Sequence, residues 1–335
     1  MQTFEEIIIE ICEKIEINSS SIQHPNYPSF ELSFEITLRF EQVLPQMQSD
    51  LIKAQLKTYL YDIYFDHSLM SNEQIRSSSQ KQILVHNNII DGIDIEFRQQ
   101  LEKSNTSKGY FDPNWRVVAE ASHGELVVVK DGLNLYIDRD FHLPKNSQPI
   151  NINDLVSVYL PNSSIGQDTY IMLSNLGSPD RLDAIELYFN FTPDAAVSIA
   201  ASLTHQLNQL NIPFQFTILH NPELFYRTDS GVLLLSKSGY LAAQNTITQI
   251  YQAHHTEFSP EIPLGTQRLA PGLGLAEVPT TFNNCGMQLC ELIATGLLSA
   301  IVQGKISVAE KFAEIRQQFA IAEIDWLQPD LNPLT

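Results

Sequence analysis

"AIELYFNFTPDAAVSIAASLTHQLNQLNIPFQFTILHNPELFYRTDSGVLLLSK", residues 184–237, decides the fold. AIELYFNF, FQFTILH (214–220) and GVLLLSK (231–237) are short apolar runs bounded by turn formers, the pattern of strands. Between the first two lies PDAAVSIAASLTHQLNQL (193–210), long enough for a helix, with Pro193 in the first turn where a missing N–H costs nothing. A second helix is read at GYLAAQNTITQIYQAHH (239–255), and the rings of His254 and His255 suit the negative end of its dipole. The order is strand, helix, strand, strand, helix. FQFTILH and GVLLLSK are joined by a loop of moderate length and pair as neighbours, so an α+β fold with a largely antiparallel sheet and flanking helices is expected.

Upstream, GELVVVKDGLNLYIDRDF (124–141) holds two strand-like runs around Asp131-Gly132, a strong hairpin signal. In that register Leu126, Val128 and Lys130 share a face with Leu133, Leu135 and Ile137, which puts Lys130 at an apolar margin. LVSVYLP (155–161) and TYIMLSN (169–175) read as further strands. Residues 1–108 read as a mostly helical N-terminal region and 109–335 as the α+β core, the two forming either separate regions or one continuous domain. Helical spacing appears at Phe4, Ile7, Ile8, Ile11 and Ile15, again over 48–65, and in the short segment 93–105. NSSSIQHPNYPSF (18–30) and SNEQIRSSSQKQ (71–82) are expected to be loops, and the chain should close with helices at 287–304 and 308–324.

The chain of 335 residues carries 39 acidic and 20 basic side chains, a net charge of −19 that repels nucleic acid and anionic membrane surfaces. No uninterrupted apolar run reaches the ~18 residues of a membrane span, and the N-terminal stretch lacks the basic and small-residue signature of a signal peptide. Three cysteines without a C-x-x-C spacing suggest neither disulfides nor a zinc site, and fit a reducing cytoplasm. No metal or organic cofactor is expected.

LGTQRLAPGLGLAEVP (264–279) has the G-x-G of a dinucleotide cradle, but Glu277 stands where the third glycine belongs and Pro279 follows. It reads instead as a fixed loop between two helices. Gly304-Lys305 is followed by isoleucine, so a Walker loop is also excluded. Positive charge is the scarcer resource: from 146 to 304 the only cations besides histidine are Arg181, Arg227, Lys237 and Arg268, against twelve acids. An anion site in this half would have to draw on those four. Arg227 and Asp229 flank the mouth of the strand at 231, either as half of such a site or as an ion pair that anchors the loop.

GYFDPNWRVV (109–118), LYFNFTPDAA (187–196), IPFQFTILHNPELFYRTDSGVLLL (212–235), APGLGLAEVP (270–279) and GMQLC (286–290) together resemble the HopA-type family of type III secretion effectors. The resemblance implies an α+β fold. It also implies two functional readings. One is a lyase that eliminates phosphate from phospho-Ser or phospho-Thr of a precursor peptide, beside a phosphotransferase-like partner. The other is a non-catalytic peptide- or partner-binding protein on the same scaffold. Elimination needs a base for the α-proton, cations on the phosphate and an acid for its departure. Side-chain chemistry nominates Lys130 or Lys237 as base, His142 as acid, and Arg227, Arg268 and Arg181 as phosphate ligands. A lysine base must sit far below its ordinary pKa, at a cost of about 4 kcal/mol of environment, which desolvation of Lys130 or proximity of Lys237 to Arg227 would supply. The chain departs from the family pattern at Thr217 and Gln267, where relatives carry lysine, and at Leu289-Cys290 in place of Arg-Cys. Each departure removes positive charge.

Overall fold

The computed structural model describes residues 2–18, 20–31, 45–74, 89–90, 92–121, 124–145, 150–279, 281–282 and 284–331. Most of the connection at 71–82 lies outside them. Helix α1 (Phe4–Lys14) opens with a capping box in which Thr3 and Glu6 exchange side-chain and backbone bonds. The segment read as a loop at 18–30 is instead mostly sheet: β1 (Glu16–Ile17), β2 (Ser21–His24) and β3 (Tyr27–Glu31) form a three-stranded meander. Pro25-Asn26 makes the turn, and Ile22 and His24 are buried beside it, so the turn formers punctuate strands rather than replace them. Helix α2 (Pro45–Leu60) ends in a π-helical turn at Tyr61–Phe65. A short pair, β4 (Ile89–Ile90) and β5 (Ile93–Asp94), precedes α3 (Ile95–Ser104), which is capped by Asp94.

Four antiparallel strands follow, β6 (Tyr110–Glu120), β7 (Leu126–Lys130), β8 (Leu133–Ile137) and β9 (Leu155–Leu160), in the order β8-β7-β6-β9. Asp131 (φ 49°) and Gly132 (φ 80°) both lie in the left-handed region, the requirement of the two-residue turn their sequence announced. The short helix α4 (Arg139–His142) packs on β9. This sheet keeps its own small core around Trp115, Val117, Val128 and Val158.

The main body is a seven-stranded antiparallel sheet. Its order is β10 (Ser163–Ile165), β11 (Thr169–Leu173), β13 (Gln215–Leu219), β14 (Gly231–Ser236), β12 (Ala184–Phe189), β16 (Leu273–Glu277), β15 (Gln267–Ala270), numbered along the chain. β13 and β14 pair as expected, and β14 also pairs with β12. Helix α5 (Pro193–Gln209) therefore links two strands of like direction with β14 between them. Helices α5, α6 (Lys237–His254) and α3 cover one face; α1, α2, α7 (Cys285–Val302) and α8 (Val308–Ile321) cover the other. Every residue of β12 is buried, with Ile185, Leu187 and Phe189 in the first core and Tyr188 in the second. α7 is long and apolar enough to cross a membrane by length and composition alone, and half of it is buried inside the protein against α2 and α8.

Residues 264–279 correct the reading of a loop between helices: they form the hairpin β15–β16, and β16 lies between β12 and β15. Pro271-Gly272 makes its turn, with Gly272 at φ 70° as a turn with proline before glycine requires. A Cβ on Gly272 would also stand 2.2 Å from the Ser259 carbonyl oxygen.

Candidate functional site

The described residues enclose a groove of about 890 Å³. Its walls are α1, the end of the π-helical turn with Tyr64 and His67, the loop Pro260–Thr266 running into β15, and the tail 327–331. Glu277 N donates to the Asp330 carbonyl, which fixes the tail beside β16 where β15 has already ended. Glu10, Glu261 and Asp330 line the groove against Arg268 and His67. Burial lowers the His67 pKa, although Glu261 and Asp229 oppose that, so the ring is neutral at pH 7 and the lining is acidic. Arg268 Nη1 donates to the Pro260 carbonyl at 2.8 Å and holds the loop to the strand.

Directly behind His67 lies a network of which the sequence reading had only the Arg227–Asp229 ion pair. The Asn221–Ser230 loop is fastened to residues 65–68. Thr228 N and Oγ1 donate to the Asp66 and Phe65 carbonyls at 3.0 and 2.6 Å, and Tyr226 donates to the Ser68 carbonyl at 3.0 Å. Arg227 makes a two-pronged contact with Asp229, both at 2.8 Å, and reaches Asp66 at 3.2 Å and Asp168 at 3.8 Å. Burial pushes the Asp66 carboxyl up to about 7, and Asp229 adds to this; Arg227, shared among three acids, only partly reverses it. With its side chain only 14% exposed, the guanidinium serves as structural counter-ion to these carboxylates.

The other nominated residues lie apart. Lys130 Nζ donates to Asp112 at 2.7 Å and to the Pro113 carbonyl at 3.0 Å, within the four-stranded sheet. Lys237 is the first residue of α6 and pairs with Glu277 at 2.8 Å. It stands at the end of β14 opposite Arg227, about 20 Å away along the strand, so the expected proximity to Arg227 is absent. His142 sits on α4 with Nδ1 accepting from the Asp138 N–H at 3.0 Å. Arg181 reaches Glu186 at 3.7 Å. Of the six, Arg268 lines the groove, and Arg227 stands behind its wall.

Glu186 is itself unusual: a carboxylate in the middle of the most buried strand, accepting from Tyr188 at 2.5 Å. Burial raises its pKa to about 7, with the Tyr188 bond and Arg181 opposing. A folded pKa above the unfolded one makes its contribution fully present below about pH 4.5 and lost as pH rises through about 7. Glu186→Gln keeps an acceptor for Tyr188 and removes the buried charge. The variant is expected to gain about 2–3 kcal/mol on the wild type between pH 5 and pH 8, read from urea unfolding at the two values. A constant difference across that range would contradict the burial effect.

A model of the HopA1 effector protein family matches residues 160–331, about half of the chain. Two solved effector structures are similar, one from Pseudomonas syringae pv. tomato strain DC3000 and one from Pseudomonas syringae pv. syringae strain 61. They show 17% and 13% identity and TM-scores of 0.40 and 0.39. Each match covers 50% of this chain and 63% of the other, so the chain spans less than two thirds of those effectors. Among curated proteins none matches.

Proposed function

The chain belongs to the HopA1 effector protein family, and on that footing we propose that it acts as a non-catalytic binding protein whose groove takes an extended, cationic peptide segment of a partner. The observation that carries the reading is the groove itself: a concavity lined by apolar Phe4, Ile7 and Leu264 and by Glu10, Glu261 and Asp330. That lining, in a chain of net charge −19, favours lysine and arginine and disfavours a phosphate. The elimination reading lacks an equivalent foothold. Lys130 and Lys237 are each held by an acid, and the cations meant for phosphate do not share one cleft.

Fluorescence anisotropy with labelled peptides of alternating leucine and lysine, and with phosphoserine in place of the lysines, separates the two. The cationic peptide is expected to bind, and Glu261→Lys to weaken it by about fivefold or more with a shallower salt dependence. Preference for the phosphopeptide, together with loss of phosphoric acid by mass spectrometry, would overturn this reading in favour of the lyase.

A further inference from the structure

One wall of the groove is a segment of the chain itself, residues 327–331, and register explains its place there. β15 and β16 pair Gln267 with Leu275, so two residues further along Gly265 would stand opposite Glu277. Gly265 instead lies in the left-handed region at φ 71° and turns the chain away, which leaves the edge of β16 beside Glu277 to another segment. Asp330 takes that position. Its carbonyl accepts from the Glu277 N–H at 2.8 Å, as a strand partner would. Pro329, buried, lies over Gly265, where a Cβ would come within 3.7 Å of the Pro329 Cγ.

The segment is fastened at one end and self-contained beyond it. Trp326 is the post, with its ring 5.1 to 5.3 Å from those of Phe4, Phe312 and Phe319 and the Arg316 guanidinium 5.7 Å from its centre. Two reverse turns follow, closed by the Gln328 N–H on the Asp325 carbonyl and the Leu331 N–H on the Gln328 carbonyl, both at 3.1 Å. Those bonds are internal, so the turns survive when the segment leaves the groove. Leu327 is 84% exposed and adds little apolar burial to that of Pro329. Charge works against the seat as well: burial raises the Asp330 pKa, its own backbone N–H opposes that, and Glu277 raises it further. With Glu10 and Glu261 also in the lining, a lysine or arginine is attracted where the Asp330 carboxylate is repelled.

We infer that the segment 327–331 is a displaceable strap and the groove's internal competitor: an extended cationic peptide enters by lifting it, and pairs with the Glu277 N–H in place of Asp330. The inference rests on the peptide-binding reading above and adds the mode of binding, strand addition to the edge of β16.

Hydrogen exchange of the full chain tests the strap without any peptide. The Glu277 amide should exchange about a hundredfold or more faster than the amides of β12, which is buried between β14 and β16. Pro329→Gly loses the buried ring and the preset turn, and should speed Glu277 by about fivefold or more while β12 is unchanged. In anisotropy titrations the same variant should bind the leucine–lysine peptide about threefold or more tighter than the wild type, because more molecules have the strap lifted. The direction is diagnostic, since loosening a fixed wall of the site would weaken binding. Glu277 exchanging in step with β12 overturns the inference, as does peptide binding that Pro329→Gly weakens or leaves unchanged. Binding by neither form overturns the peptide reading and the competition with it, whereas slow exchange at Glu277 beside a peptide that binds overturns the strap alone.

Discussion

Arg227→Met is expected to lower the stability of the folded chain by about 3–5 kcal/mol at pH 8, the range for removing one partner of a buried ionic network. The cause is what remains: Asp66 stays buried and Asp229 largely so against the same wall, with Asp168 nearby and no guanidinium between them. Methionine fills much of the volume, so packing is a minor part of the loss. The sign with pH follows from Asp66, already raised to about 7. Without Arg227 it takes up a proton more readily still, which neutralises part of the stranded charge in acid; the loss should shrink towards pH 5 and be greatest above pH 7. Urea unfolding at both pH values measures this, and Asp229→Asn in the Arg227→Met background should recover part of the stability. A loss below about 1 kcal/mol at pH 8 would mean that the network is solvated rather than structural.

Gly296→Ala should destabilise by about 2 kcal/mol, although alanine is the better helix former by about 1 kcal/mol in an exposed position. Gly296 lies on α7 where α8 crosses it. A Cβ there would stand 2.6 Å from the Ile315 Cα and 2.8 Å from its backbone nitrogen. A flexible side chain could swing away from such a contact, but a helix backbone cannot, so the two helices must separate and the core around Leu297, Ile315 and Phe319 loosens with them. Thermal unfolding reads the effect directly. A variant as stable as the wild type would show that the α7–α8 contact relaxes at little cost.

The elements that local chemistry can specify were legible in the sequence. The strand–helix–strand–strand–helix order at 184–255, the Asp131-Gly132 hairpin and the two C-terminal helices each follow from periodicity and turn residues within a short window. The errors arose where turn formers were taken for loops. Pro25-Asn26 and Pro271-Gly272 bend the chain between strands too short to show alternation, and β16 holds Gly274, which packs closely under the loop of Ile262 and Thr266.

For the candidate site the division is sharper. Scarcity of positive charge set Arg181, Arg227, Lys237 and Arg268 apart, because counting needs no coordinates. Asp229, two residues on, was in view as an ion-pair partner of Arg227, but Asp66 and Asp168 come from distant segments and were beyond the sequence. The same holds for His67, Tyr64 and Glu10, which meet Arg268 only once α1 and the tail close over β15.

By itself, then, the sequence determined the α+β class, most of the elements and the acidic character of the chain, all consequences of contacts between near neighbours or of simple sums. Only the tertiary structure decided that the four scarce cations have carboxylate or carbonyl partners in different parts of the fold. Burial and charge pairing depend on which distant strands and helices share a face, and that is fixed by packing.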